Sequence, residues 1–385
     1  MLLLLATTLT FQVLSASTVI PLKIVNNSGE DKKMVPLIIP VSQLSLSNGS
    51  VFNSVKLLSV DKRSYPCQFD QLNISGKKLP FNEISILVDL KSGENLYELI
   101  LSENSQKKAV LQASTEKRYY YITNNLVKVL LSKTKIHNRK LNFKTPDAWI
   151  TLTGSGGYHS DPKLDNQWRE WSWGKAELSL IADGPVRKIM RETIERTNKE
   201  NDKKVKLIHD WSVFSGRKEI LSVINIVNVG KSQLVQISRM VKGFYDITPG
   251  GKGSPSQDRF AGLNKKDELV TGLLKDSRYF LKKPKLNDAC WYDAFYIGEK
   301  KPAVGLGCVV EYSSGLYAIV LANIENKGKS KLRMTESYEP KNAVIWPDKS
   351  YIYKQWYVLH QGDFKTTQNF CKLINNIKIE VLTKP

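Results

Sequence analysis

Helical periodicity is nearly absent from this 385-residue chain, which excludes bundles and alternating α/β folds that need repeated amphipathic helices. The one segment with that period is FKTTQNFCKLIN (Phe364 to Asn375), where Asp363 stands at a capping position and Phe370, Leu373 and Ile374 share a side. Nucleotide and hydrolase signatures are missing as well. There is no Walker loop, no GxGxxG after a strand, no GxSxG elbow and no HExxH. Cysteine is scarce: Cys67, Cys290, Cys308 and Cys371 are too widely spaced for a CxxC zinc or redox motif. An oxidising compartment permits two disulfides in any of three pairings, but a chain this long does not need them, and buried free thiols are the reading adopted. Long apolar runs are confined to the start. MLLLLATTLTFQVLSAS (1–17) has signal-peptide length and small residues at its end, without a basic residue in front, and is too short to span a bilayer. The expectation is a secreted or periplasmic protein with no stable membrane insertion after signal removal; a buried first strand is the alternative.

Acidic residues are in deficit, 37 against 57 Lys and Arg, for a formal charge of +20. The lysines sit in turn-like tetrads such as SGKK, SQKK and NKKD and form no stripe interleaved with aromatics, so nucleic acid is not the expected partner. An acidic polysaccharide fits an exported cation. A lysine-rich surface that serves only solubility fits equally.

What the chain has in quantity is short β-type runs. IPLKIVNN, MVPLIIPV, SVKLLSVD, SILVDLK and LYELILS are rich in β-branched residues and bounded by Asn, Gly, Ser and Pro. They predict an N-terminal β module over 18–113. The polar stretch Ser102 to Arg118 marks its boundary, and a second β module over 114–385 begins with YYYITNNLVKVLLSK. Within it, VKLIHDWSVF and KEILSVINIVN read as a hairpin across SGRK, with Gly216 free to take positive φ. AVGLGCVVEY and LYAIVLANI read as another hairpin about Ser313, Ser314 and Gly315. The long ITPGGKGSPSQDRFAG reads as a lid or binding loop. The fold class is therefore all-β: a sandwich-like first module, then a large antiparallel assembly with few helices.

One loop is unlike the rest. GGYHSDPKLDNQWREWSWGK (Gly156 to Lys175) gathers a Tyr, a His, three acids, three bases and three Trp. Flat rings stack on pyranose faces, and charged forks fix hydroxyls and carboxylates. Trp168, Trp171 and Trp173 with Arg169 are thus candidate substrate-binding residues, and Tyr158 and His159 candidate catalytic ones. Plugging one end of a sandwich is the structural alternative for the Trp rings. Period-2 alternation puts His209 on one strand face with Leu207, Trp211 and Val213, where an apolar setting keeps an imidazole neutral and basic, or makes it a core residue hydrogen-bonded to backbone. His360 shares a face with Trp356 and Val358 and reads as structural. His137 reads as an exposed turn residue. Arg259 and Tyr292 are further loop candidates. DPKLDN (Asp161 to Asn166) offers oxygens that make calcium a possible ligand, without the EF-hand pattern; no other metal site is expected.

The runs ADGPVRKIMRE, HDWSVFSGRKEILSVINIVN and YIYKQWYVLHQGD resemble the galactose-mutarotase-like supersandwich of many polysaccharide lyases, and the segments from MVPLIIPVSQL to EISILVDLKSGENLYELIL resemble the first module of uncharacterised bacterial proteins associated with polysaccharide degradation. The resemblance implies a carbohydrate-active protein with a supersandwich over 114–385. On a uronate polymer, β-elimination needs a cation on the C6 carboxylate, a base for the C5 proton and an acid for the departing O4. Arg259 or Arg169, His209 or His159, and Tyr158 fill those roles in turn. A non-catalytic glycan-binding protein of the same fold is the alternative. Glycoside hydrolysis would need two facing carboxylates, and no spacing singles out a pair. Epimerases of this fold use a His pair and a carboxylate, and no motif here places both histidines.

Overall fold

The computed structural model describes residues 17–44, 46, 52, 54–72, 81–102, 114–133, 139–146, 149–160, 176–198, 203–231, 237–248, 259–273, 278–281, 288–296, 304–311, 316–326, 329–338 and 350–382, with the backbone alone for parts of several strands. Its first strands are β1 (Ser17–Asn26), β2 (Lys32–Pro40), β3 (Ser54–Ser59), β4 (Ser64–Tyr65), β5 (Cys67–Leu72), β6 (Phe81–Leu90) and β7 (Gly93–Ser102). Next come β8 (Ser114–Glu116), β9 (Tyr119–Thr123), β10 (Val127–Ser132), β11 (Arg139–Lys144) and β12 (Trp149–Ser160). They are followed by β13 (Glu177–Asp183), β14 (Arg187–Asn198), β15 (Lys203–Phe214), β16 (Glu219–Asn228) and β17 (Ile237–Thr248). After β18 (Arg259–Leu263), β19 (Leu269–Leu273), β20 (Arg278–Leu281) and β21 (Cys290–Tyr296) stand β22 (Val304–Val310), β23 (Leu316–Asn326), β24 (Lys329–Tyr338) and β25 (Ser350–Gln361). Helix α1 (Lys365–Asn376) and β26 (Ile377–Val381) end the described chain.

Four sheets result. Two have nine strands: a central sheet ordered β13-β14-β15-β16-β25-β22-β21-β18-β19 and a flanking sheet ordered β20-β23-β24-β17-β12-β11-β10-β9-β8. A five-stranded sheet, β26-β1-β7-β3-β4, and a three-stranded sheet, β2-β6-β5, are built from the strands of 17–102 together with β26. The central sheet is covered on both faces. Leu207, Trp211, Val213 and Ile220 meet Ile122, Val129, Leu141 and Phe143 of the flanking sheet. Phe214, Leu221, Trp356 and Val358 on the other face meet Leu22, Ile24, Leu99 and α1 residues Phe370 and Leu373. This double burial explains why β16 reads EILSVINIVN with almost every residue buried, an apolar run in place of clean alternation. Trp211 and Trp356, at 1% and 2% exposure, anchor the two cores. Each buries roughly 150–250 Å², on the order of 4–6 kcal/mol of transfer free energy before entropy is subtracted.

The GPVR segment proves to be a docking element. Val186 N and Arg187 N donate to Gln68 Oε1 at 3.1 Å each, and Gln68 Nε2 returns a bond to Arg187 O at 3.0 Å. The Arg187 guanidinium, 2% exposed, reaches Asp70 at 2.8 Å and Glu83 at 2.6 Å. The three-stranded sheet is thereby fastened to the central sheet through a buried ion pair. The chain's last strand returns to the five-stranded sheet, since β26 pairs antiparallel with β1 (Leu22 with Val381 through Asn26 with Ile377).

The β15–β16 hairpin forms with Gly216 at φ +68°, as its sequence predicts. Helix α1 forms where expected, and Asp363 Oδ1 accepts from Lys365 N at 2.9 Å. The cysteines are free thiols, three of them buried. The expected hairpin of 303–312 with 316–324 does not form. β22 lies in the central sheet between β21 and β25, whereas β23 lies in the flanking sheet between β20 and β24, so the short connector crosses from one layer to the other. No helix among the described residues is long and apolar enough to cross a membrane.

Candidate functional site

The polar centre of the molecule lies between the two large sheets. Alternation along β15 turns His209 toward the flanking sheet, and the antiparallel register sets it opposite Glu192 of β14. His209 Nε2 lies 2.8 Å from Ser222 Oγ on β16, and Nδ1 lies 3.6 Å from Glu192 Oε2. The imidazole also stacks against Trp211, with centroids 4.4 Å apart. Glu192 is fully buried, and its charge is met from the opposite sheet by Arg139, whose Nε donates to Oε2 at 2.8 Å. Trp211 Nε1 points at the same oxygen from 3.3 Å. One carboxylate thus ties two sheets together, an arrangement in which removing either ion strands the other without solvent. Farther along the central sheet, Gln355, fully buried, accepts from Tyr353 Oη at 3.1 Å.

Register places this cluster at mid-strand in the central sheet and at the start of β11 in the flanking sheet. Arg139 is the first residue of β11 and pairs with Gly154; β12 runs on past it to Ser160, from which the Trp-rich loop departs. That loop rejoins the central sheet at β13, where Leu178 pairs with Glu192 itself. The opposite end carries the β9–β10 and β15–β16 turns, tied by Asn124 Nδ2 donating to Phe214 O and to Arg217 O.

A second buried constellation sits at that opposite end. His360 Nε2 lies 2.8 Å from Asp293 Oδ2, and Thr367 Oγ1 of α1 donates to the same oxygen. Burial works against the imidazolium, yet the Asp293 carboxylate and its hydrogen bond outweigh it, so His360 titrates above its ordinary value. Beside it opens a cavity of about 490 Å³ lined by Arg217, Glu219, His360 and Thr366 among others.

The residues singled out by sequence fare differently. Tyr158 and His159 lie in β12, paired with Met240 and Arg239, and not in a loop. The alternating strand simply extends farther than its glycines suggest. Their side chains lie outside the described residues, as do Trp168, Arg169, Trp171, Trp173 and the Asp161 to Asn166 segment. His209 is 3% exposed and engaged on both nitrogens. Its two ring nitrogens face Ser222 and Glu192, the setting of the core histidine that the sequence also allows. Tyr292 is not a loop residue. It lies in β21, fully buried with Cys290 and Ala294 in the inter-sheet core. Arg259 is exposed at the start of β18, five strands from β15 in the sheet order, on the order of 24 Å at ~4.8 Å per strand. Arg259 and His209 therefore do not share a cleft. The sequence does not single out Glu192, Arg139 or Asp293. Their signal was an ionisable residue at an inward position of an apolar strand: Glu192 between Met190 and Ile194, Asp293 within CWYDAFY. Among the described residues no cluster of three His, Cys, Asp or Glu is placed to hold a metal.

No protein-family model and no curated sequence matches the chain. Among solved structures it resembles an alpha-mannosidase from Enterococcus faecalis V583, with 12% identity, 95% of this chain and 46% of that one covered, and a TM-score of 0.50. It also resembles a glycosyl hydrolase family 38 protein from Enterococcus faecalis, with 12% identity, 95% and 47% covered, and a TM-score of 0.51. A galactose mutarotase related enzyme from Lactobacillus acidophilus aligns at 11% identity over 63% of this chain and 97% of its own, with a TM-score of 0.39. The chain spans about half the length of the two Enterococcus proteins. At such identities what is shared with those two is the fold, an all-β architecture of stacked antiparallel sheets.

Proposed function

We propose that this chain is an exported carbohydrate-active protein that cleaves an acidic, uronate-containing glycan by β-elimination. The observation that carries this reading is architectural: 95% of the chain follows the fold of carbohydrate-processing proteins. The formal charge of +20 then favours an anionic glycan over a neutral one. The reacting groups belong at the end of the sandwich where β12 gives way to the Trp-rich loop. Arg169 neutralises the uronate carboxylate, and His159 takes the C5 proton and returns it to O4 as the C4–O4 bond breaks and the C4=C5 double bond forms. Tyr158 holds the alternate position of the same strand and has no part in this step. The Arg139–Glu192–His209 cluster is buried between the two large sheets and has no part in this step.

The test is to incubate the purified protein with a panel of uronate polysaccharides and follow the ultraviolet absorbance of unsaturated ends. His159→Ala should lower the rate by about 10²-fold or more without moving the thermal midpoint, and Tyr158→Phe should keep most of it. A flat trace on every polymer overturns the lyase reading. Non-catalytic glycan binding by the same fold is the second reading, favoured by one observation: His209 is closed off and Arg259 lies far from it. It predicts binding that persists in both variants and is lost when Trp168, Trp171 and Trp173 are changed. The same proposal places the protein in the periplasm or outside the cell, and the mass of the exported product reports whether the first ~17 residues have been removed.

A further inference from the structure

The flanking sheet turns one face to the core, and the other face carries an arrangement of rings and ammonium groups. Odd-numbered residues of β10 and β11, such as Val129 and Leu141, enter the core. The even-numbered Lys128, Lys140 and Asn142 stand on the other face, which by register they share with Tyr119 and Tyr121 of β9 (opposite Ser132 and Leu130) and with Trp149 of β12 (opposite Lys144). Lys128 Nζ lies 4.5 Å from the Tyr121 ring centre and 5.8 Å from that of Trp149. Lys140 Nζ lies 5.0 Å above Tyr119. Trp149 is 41% exposed, a large apolar ring left in water. Tyr119 is only 6% exposed.

Such a face differs from an ordinary solvated one. Lysines that merely keep a sheet soluble do not need rings beneath them, and a surface Trp gains nothing in water. We propose that this outer face is a binding tract for an extended anionic polysaccharide, separate from the loop end of the sandwich. Sugar rings stack on Trp149 and Tyr121, and the chain's carboxylates take the ammonium groups of Lys128 and Lys140. Lysine suits this role because its flexible stem lets the charge swing from ring to ligand. One carboxylate competes at the tract's edge: Glu116, half exposed, holds Lys128 at 3.1 Å. The tract therefore sits under a built-in brake. The proposal shares with the previous section only the class of glycan, and it requires no turnover.

Affinity electrophoresis of the whole chain through gels containing polygalacturonate, with dextran as the neutral control, tests it. The Lys128→Gln, Lys140→Gln, Trp149→Ala variant should lose about tenfold or more in affinity for polygalacturonate, and its retardation should depend less on salt. Glu116→Gln should bind several-fold more tightly than the parent protein, a gain that a merely solubilising lysine cannot give. Since Glu116 is an exposed surface residue, this second variant keeps the test sharp even where the triple variant folds poorly. Parental affinity in both variants overturns the proposal. Unsaturated products together with unchanged polymer binding would sink the tract and leave the lyase reading standing. Tract-dependent binding without any product would do the reverse.

Discussion

Without its guanidinium, Arg187 would leave Asp70 as a fully buried carboxylate supported, among the described residues, by Ser85 and Gln68. Breaking a buried pair in this way costs roughly 3–5 kcal/mol, because the desolvated survivor has nowhere to send its charge. Arg187→Ala should therefore lower the urea midpoint steeply, and Arg187→Met with Asp70→Asn should recover much of the loss. The His360–Asp293 pair makes a different prediction. His360 titrates higher folded than unfolded, where ~6.5 is ordinary. Its contribution is then fully present below about pH 6.5 and fades as pH rises through the folded value. The stability gap between the parent and His360→Gln should be widest in acid and narrow toward pH 9, as read by thermal unfolding. A gap that widens with pH would contradict the assigned pairing. At this scale the sequence was partly legible. Alternation alone put His209 and Trp211 on one face, but the partner Glu192 belongs to a different strand, and no local pattern reveals which strand lies alongside.

Helix α1 is seated by close approach. A Cβ on Gly307 would run into the Thr367 side chain, and one on Gly305 into the His360 ring. These glycines exist where backbone and side chain must nearly touch, not for any turn. Gly307→Ala should force α1 outward and cost about 1–3 kcal/mol. Faster hydrogen exchange confined to 365–376 and its contacts would be the accompanying sign. The helix itself was legible because 3.6 periodicity is rare in this chain and α1 buries one stripe, Thr367, Phe370, Cys371 and Leu373. β21 was not. CWYDAFY is covered on both faces, so its alternation is erased, and Tyr292 passes for a loop aromatic.

For the molecule as a whole, the central sheet acts as a shared wall between two cores, and its strands carry no sign of which layer each neighbour joins. This is why β22 and β23, adjacent in sequence and both apolar, read as a hairpin yet belong to different sheets. Strand identity is local; sheet membership is decided by packing far along the chain. Deleting 377–385 removes β26 and leaves β1 as an open edge. That variant should lose stability and associate with itself in a concentration-dependent way, visible by light scattering.

The pairing of β1 with β26 also sets a timetable for synthesis. The ribosome must add about 350 residues between the two partners, roughly 20–70 s at ~5–20 residues per second. For that interval the newborn first module waits with one flank unclosed. Whatever shields nascent chains in the cell has its longest task there, and the fold seals only when its tail comes home.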